Sequence, residues 1–338
     1  MSPKESVIPV FVPHYGCPHQ CVFCNQRHIA GTKTPCKPED VIRILKAAAA
    51  IPSNGKRRQL AFYGGSFTAI PAKMQEELLG AAQRFIDDGT IFSIRVSTRP
   101  DTINPEVIER LIRFNVSTVE IGAQSMDEKV LRAAGRGHSR QDVINASKMI
   151  KDSGLHLVLQ MMTGLPEAGE DSDIITATQL ADLKPDAVRI YPTVVVKDTE
   201  LYDMWAKGEY KEHTVEAATV LCAKIVPIFD KAGINIIRLG LNPSEELSGD
   251  LAVCGAYHPA FGELVRSRIF LDEAKALLKG IKEGSDVILS VSPAYVSQLI
   301  GQGKANIKIL REEYGLKSLR VKQDISIKDR QIRVFIAK

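Results

Sequence analysis

Nowhere in the 338 residues is there an unbroken apolar run of the roughly 18 that a membrane span needs. The N-terminus likewise lacks the long apolar stretch of a secretory signal. Both absences predict a cytoplasmic protein without a membrane partner. Internal repeats and low-complexity linkers are missing as well, which excludes solenoid arrays and tethered disordered arms. No charge of one sign dominates: the net is +4, with 44% hydrophobic and 25% charged residues, as in an ordinary globular chain. The length suggests one large domain and a smaller one. Cysteine is sparse. Six residues in a cytoplasmic chain of this size argue for metal binding or catalysis, not for a disulfide scaffold.

Half of those cysteines are crowded together. Cys17, Cys21 and Cys24 form a C-x3-C-x2-C run. Thiolates are the standard ligands of iron–sulfur clusters, which usually take four. A four-iron cube held by three leaves one iron without a protein ligand, and that iron can take a small molecule. Zinc held by the same three with Cys36 is a weaker reading, because Cys36 stands alone and zinc sites usually pair their cysteines on two arms. A redox C-x-x-C pair of Cys21 and Cys24 leaves Cys17 unexplained. Burial as a small hydrophobe suits Cys222, and in part Cys254, better than the triad.

Apolar periodicity predicts alternating strands and helices. Strands are expected at 7–12, 59–63, 93–98, 118–121, 155–161, 187–191 and 235–239. Helices are expected at 38–50, 71–85, 105–114, from Ser139 with Asp142 as its capping partner, near 174–183 and at 215–231. About six β-α units imply an α/β fold, either a partial (β/α)6 barrel of TIM type or a doubly wound sheet. Each unusual polar or glycine-rich cluster falls just past a strand's C-terminal end, where barrels build their sites, and this favours the barrel. The nearest feature to a domain boundary is the stretch 266–285; domains are expected at 1–270 and 271–338.

The strand ends carry Tyr63-Gly64-Gly65-Ser66-Phe67, Ser97-Thr98-Arg99-Pro100-Asp101, Glu120-Ile121-Gly122-Ala123-Gln124-Ser125 with Gly135-Arg136-Gly137-His138, Gln160-Met161-Met162-Thr163-Gly164, and Arg189-Ile190-Tyr191-Pro192-Thr193. Paired glycines let a backbone approach a ligand closely. Amides and hydroxyls suit a ribose and a purine edge, and arginine suits a carboxylate. Taken singly, Arg99 reads equally well as a turn residue paired with Asp101, and Met161–Met162 as core.

The cysteine spacing, with Phe23 before the last thiol, resembles the radical S-adenosylmethionine (SAM) enzymes. The succession Gly-Gly-Ser-Phe, Thr-Arg-Pro-Asp, Ile-Gly-Ala-Gln-Ser, Gly-Arg-Gly-His and Ile-Tyr-Pro-Thr, with Leu201-Tyr202-Asp203-Met204-Trp205, resembles the catalytic subunits of elongator. More distantly it is similar to oxygen-independent coproporphyrinogen oxidases. The likeness runs from about Val10 to Tyr210. It implies a 4Fe-4S cluster on Cys17, Cys21 and Cys24 that reductively cleaves SAM to a 5′-deoxyadenosyl radical, and an electron donor such as ferredoxin or flavodoxin. It implies SAM contacts from Phe23, Tyr63, Gly64, Gly65, Ser66, Ser97 and Gln160, with Gln124 on the ribose and Arg136 on the methionine carboxylate. Ser66, Ser97 and Gln160 depart from the family's usual residues. About seventy residues follow Phe270, fewer than an acetyltransferase domain needs, so acetyl-CoA is not expected as a co-substrate.

From Ser285 onward ten Lys and Arg face five Asp and Glu, +5 against −1 for the rest, which suggests an anionic partner. A strand at 286–291, helices at 293–299 and 305–314 around Gly301-Gln302-Gly303-Lys304, and strands at 319–321 and 332–337 resemble a KH domain. That resemblance implies RNA binding, with Gly301, Gln302, Gly303, Lys304 and Lys308 as contacts; Lys304 takes the place of the loop's last glycine. The expected function is modification of RNA, with tRNA as the expected substrate. The rivals are a radical oxidase of a small molecule such as a tetrapyrrole and a non-catalytic iron–sulfur RNA-binding protein.

Overall fold

The computed structural model describes residues 5–12, 17, 20–24, 36–242 and 251–337. In chain order its elements begin with β1 (Glu5–Val12), α1 (Pro38–Ala49), β2 (Arg57–Gly64), α2 (Ala72–Asp87), β3 (Ser93–Thr98) and α3 (Pro105–Arg113). They continue with β4 (Val116–Gln124), α4 (Glu128–Ala133), α5 (Arg140–Asp152), β5 (His156–Thr163), α6 (Glu170–Asp182), β6 (Ala187–Pro192) and β7 (Val194–Val196). Next come α7 (Glu200–Ala206), α8 (Val215–Lys231), β8 (Asn235–Leu239), β9 (Ala252–Gly255) and α9 (Phe261–Leu278). The last elements are β10 (Asp286–Val291), α10 (Val296–Ile300), α11 (Ala305–Glu313), β11 (Ser318–Gln323) and β12 (Ile332–Ala337).

Seven strands form one sheet in the order β1-β2-β3-β4-β5-β6-β8, each pair parallel. The sheet curls into a half-barrel, the partial TIM-type architecture expected from the sequence. Alternation along the strands explains its two faces. Leu60, Phe62, Ile94, Val96, Val119, Ile121, Leu157, Leu159, Val188 and Ile190 are buried in a continuous core with the helices. The intervening positions, among them Tyr63, Arg95, Ser97, Glu120, Gln160, Arg189 and Tyr191, therefore point to the concave face. Helix starts follow local chemistry. Ser139 and Asp142 form the reciprocal capping box at α5, and Asn104 caps α3 with Pro105 in its first turn. No described helix is long and apolar enough to cross a membrane.

The stretch that reads as nearest to a domain boundary lies largely inside the longest helix among the described residues, α9. Its first half gives Phe261, Val265 and Ile269 to the main core. Its second half gives Phe270, Leu271, Ala274 and Leu278 to a separate core with β10–β12, α10 and α11. A helix apolar on both sides has no single hydrophobic stripe for periodicity to detect. In the C-terminal sheet β10 lies between β11, its parallel neighbour, and β12, its antiparallel one. Strand β9 pairs with β7 outside the main sheet; neither strand was expected.

Candidate active site

The cysteine segment is pinned from two sides. Val22 N–H donates to Ala134 O at 3.2 Å, and Leu201 N–H donates to Val22 O at 2.8 Å. Val22 is buried with Val130, Ala134, Leu165, Val195 and Leu201; Phe23, Tyr202 and Trp205 pack against them. Gly135 is required here. Its φ is +63°, and a Cβ would meet Gln20 O at 2.9 Å. Cys24 N–H closes a turn onto Cys21 O at 3.0 Å. Cys21 is buried, while Cys17 and Cys24 are half-buried.

The three cysteines share one cavity with Phe23, Gly64, Gly65, Ser66, Ser97, Thr98, Arg99, Gly122, Gln124, Arg136 and Gln160. Every expected SAM contact but one is thus gathered around the thiols. The exception is Tyr63, whose phenol turns to the barrel interior. The glycine pair sits at the β2 end, where Gly65 N–H donates to Val12 O at 3.1 Å. Gly64 has a φ of +104°, and a Cβ on it would meet Val12 O at 2.8 Å. Ser66 Oγ lies 2.8 Å from Thr98 Oγ1 and accepts from Arg99 N–H at 3.1 Å, so that hydroxyl ties two strand ends together.

At the end of β4 the register slips between Gly122 and Gln124, and Gln124 takes a φ of +64°. A left-handed glutamine in a bulge re-aims its side chain. Its Oε1 is buried without a partner. Arg136 donates from Nη1 to Cys21 Sγ at 3.1 Å and from Nη2 to Gly122 O at 2.6 Å, while its Nε is buried and unpartnered. Arg99 forks onto Asp101 at 2.9 and 3.2 Å, the turn pairing read from the sequence, and donates to Arg136 O at 2.5 Å. Burial pushes the Cys17 thiol up, opposed by Arg99. His138 is pushed down to about 3 by burial and by Arg136 and Arg99. It is therefore neutral near pH 7, and its Nε2 faces Ala123 O at 3.2 Å.

Beneath this mouth lies a charged layer that the sequence reading missed. Glu120 is fully buried. It accepts from Arg95 at 2.5 Å, Arg189 at 2.9 Å and Gln160 at 2.9 Å, and from the Tyr63 phenol at 3.3 Å. Burial pushes its carboxyl up, but Arg189 and Arg95 outweigh that and hold it below the ordinary range. Its signal was the polar parity shared by Arg95, Glu120, Gln160 and Arg189, visible only once the strands are laid side by side. Met161 belongs to the core, and burial pushes Cys222 up to about 12, the behaviour of an inert core thiol. Cys36 packs against the same core.

Among the described residues no three His, Cys, Asp or Glu side chains converge on one metal-ion position. A four-iron cube, whose cysteines each hold a different iron, asks for no such convergence. The unpartnered Gln124 Oε1 and Arg136 Nε fit a second, polar ligand beside it.

The Gly301–Lys304 loop lies apart, in the C-terminal domain. Gly301 has a φ of +77°, and a Cβ would meet Asn306 at 2.9 Å. Asn306 is buried and donates to Ser267, Gln298 and Leu299. Lys304 keeps the left-handed backbone of a glycine, with φ +65°. Gln302, Gly303, Lys304 and Lys308 are exposed. The loop borders a groove of about 520 Å³ shared with Val215, Glu216 and Thr219 in the first turns of α8. Because α8 crosses between the parallel strands β6 and β8, that turn lies at the mouth end of the barrel.

Comparison with known proteins fits this geometry. The radical SAM superfamily model matches residues 11–180, and that of the radical SAM C-terminal domain matches residues 185–270. A tRNA uridine(34) acetyltransferase of Methanocaldococcus infernus is 29% identical over 65% of this chain and 39% of its own length. Elongator complex protein 3 of Schizosaccharomyces pombe is 31% identical over 49% of this chain and 34% of its own. The solved structure of M. infernus Elp3, lacking residues 1–46, superposes with a TM-score of 0.64 at 23% identity, over 88% of this chain and 68% of that one. The chain spans between a third and two fifths of the length of these two curated relatives.

Proposed function

We propose, from the premise that this chain belongs to the radical SAM superfamily, that it modifies RNA, with tRNA as the intended substrate. It is an enzyme of that class, and its cofactors are a 4Fe-4S cluster and SAM. When bound, these supply one-electron reductive cleavage of SAM and the hydrogen-abstracting group that results. In this proposal Cys17, Cys21 and Cys24 hold the cluster. Gly64 and Gly65 present backbone to the amino-acid end of SAM, Gln124 Oε1 takes a ribose hydroxyl, and Arg136 takes the carboxylate. Phe23, Ser66, Ser97 and Gln160 complete the wall; Tyr63 acts from below, as a positioning residue on Glu120. The observation that carries the reading is the gathering of three thiols with buried, unpartnered polar atoms in one cavity at the strand ends.

RNA as substrate is supported by three things. The relatives named above are tRNA uridine acetyltransferase and elongator proteins. The region from Ser285 onward is basic. The glycine loop borders a groove that reaches the mouth end of α8, so a strand held at Gly301, Gln302, Gly303, Lys304 and Lys308 lies next to the barrel opening. This divides the chain functionally as 1–270 for chemistry and 271–338 for substrate. The test is a comparison of modified nucleosides in total tRNA from cells with and without the gene. A nucleoside that disappears supports the proposal; an unchanged profile moves the substrate to a small molecule.

A further inference from the structure

The C-terminal sheet packs one face on its own helices and leaves the other open. On the buried side Val287, Leu289 and Val291 of β10 are fully covered. The opposite parity faces the other way in two rows set by strand register, in which Ser290 is buried and the flanking residues are exposed or half-buried. Ile288 has Arg320 on one side and Phe335 on the other, and Ser290 has Lys322 and Arg333. Phe335 is half exposed, at 50%, and Ile325 beside it is 89% exposed. A shallow concavity of about 640 Å³ is lined by Ile288, Ser290, Lys322, Asp324, Ile325 and Phe335. The acids nearby are already engaged: Asp286 by Ser318 and by Lys317 at 3.5 Å, and Asp324 by Ser326 N–H at 2.8 Å and by Arg333 at 3.6 Å. Arg320, near enough to Asp286 to help hold its carboxyl low, and Lys322 are exposed beside an open aromatic ring.

We propose that this sheet face is a second RNA-binding surface. A single-stranded segment stacks one base on Phe335 and rests its phosphates on Arg320 and Lys322, with Arg333 completing the row. Charge decides the occupant: an exposed aromatic beside Arg320, Lys322 and Arg333, which outnumber the Asp286 and Asp324 carboxylates near them, matches a strand that offers π-faces and phosphates, whereas a second copy of this chain would set the same cationic excess against itself. The surface is separate from the glycine loop. The loop borders the first turns of α8. The β11–β12 connection is tied to the last turn of that 17-residue helix through the Arg330–Asp230 ion pair at 2.9 Å. Those two ends of the helix are ~25 Å apart at 1.5 Å per residue.

The inference rests on the RNA reading of the protein, and one titration separates the two. Full-length protein is titrated into a labelled U12 oligoribonucleotide across a series of salt concentrations. Phe335→Ala is expected to weaken binding about tenfold, the scale of one lost stacked base, and Phe335→Tyr to restore it. Arg320→Gln with Lys322→Gln is expected to lower the slope of log affinity against log salt by about 1.4. Wild-type binding that neither change affects overturns the sheet face and leaves the glycine loop standing. No binding by wild type overturns both. If Phe335→Ala abolishes a dimer in sedimentation while RNA affinity stays the same, the face is an interface between copies and the proposal is wrong.

Discussion

At the barrel mouth the polar groups are buried and several lack partners, whereas at the glycine loop the buried amide of Asn306 is satisfied, only Gln298 Oε1 beside it lacks a partner among the described residues, and the charges stand in solvent. Gln124 Oε1 and Arg136 Nε are sealed from water without a hydrogen bond, and each such group costs about 1–3 kcal/mol unless a ligand meets it. Asn306 in the C-terminal domain has carbonyl acceptors for its amide, while Lys304 and Lys308 are exposed. The first arrangement suits a small ligand held in one orientation. The second suits a long polyanion held by charge, with strength that falls as salt rises. Substitutions at the mouth should therefore act steeply and independently of salt, and those at the loop gradually and salt-dependently.

The steepest break is expected from Cys21→Ala. It removes a cluster ligand, so 5′-deoxyadenosine release after anaerobic reconstitution falls to background while circular dichroism stays that of the folded protein. Arg136→Lys keeps the charge but loses the fork that joins Cys21 Sγ to Gly122 O. We expect SAM cleavage to fall about 10–100-fold, the usual cost of a group that orients a metal ligand, measured as kcat/KM for SAM and equal at low and high salt. Lys304→Glu should leave SAM cleavage without RNA unchanged and weaken RNA binding several-fold at 0.1 M salt, with the loss shrinking as salt is added.

Two smaller effects concern stability. Burial pushes Asp173 up to about 7, partly opposed by the Gly164 N–H that it accepts. A carboxyl raised in the fold supports it fully below about pH 4, and that support is lost as pH climbs toward 7. Asp173→Asn, which still accepts from Gly164, should therefore gain stability over wild type progressively from pH 4 to 7 in urea titrations. The smallest change is Lys304→Gly. It relieves a left-handed non-glycine backbone and should stabilise the chain by ~0.5–1 kcal/mol while still weakening RNA binding.

Much of this comparison was legible before the structure. The strands of the main sheet fall where apolar runs predicted them, because a sheet covered by helices writes its outer face into every second residue. The cysteine spacing and the strand-end glycines marked the mouth, since both are local patterns. The Glu120 layer was not legible, because it arises from lateral pairing of strands far apart in sequence, where Arg95, Glu120, Gln160 and Arg189 meet. Nor did local sequence show that Tyr63 would join that layer and leave the cavity, since one step of parity beyond Phe62 decides it. Helix α9 was hidden for the opposite reason: with two cores to fill it has apolar residues all round. The open sheet face escaped notice because Arg320, Ile288 and Phe335 become one row only through the register of three strands.

The central claim is that one chain joins SAM cleavage at the mouth to an RNA substrate. It is tested most directly by reconstituting the protein with iron and sulfide without oxygen, adding SAM and reductant, and measuring 5′-deoxyadenosine with and without tRNA taken from cells lacking the gene. The account predicts 5′-deoxyadenosine release accompanied by a new modified nucleoside in that tRNA, both lost with Cys21→Ala. Absence of 5′-deoxyadenosine, or release that leaves the tRNA nucleosides unchanged, would contradict it.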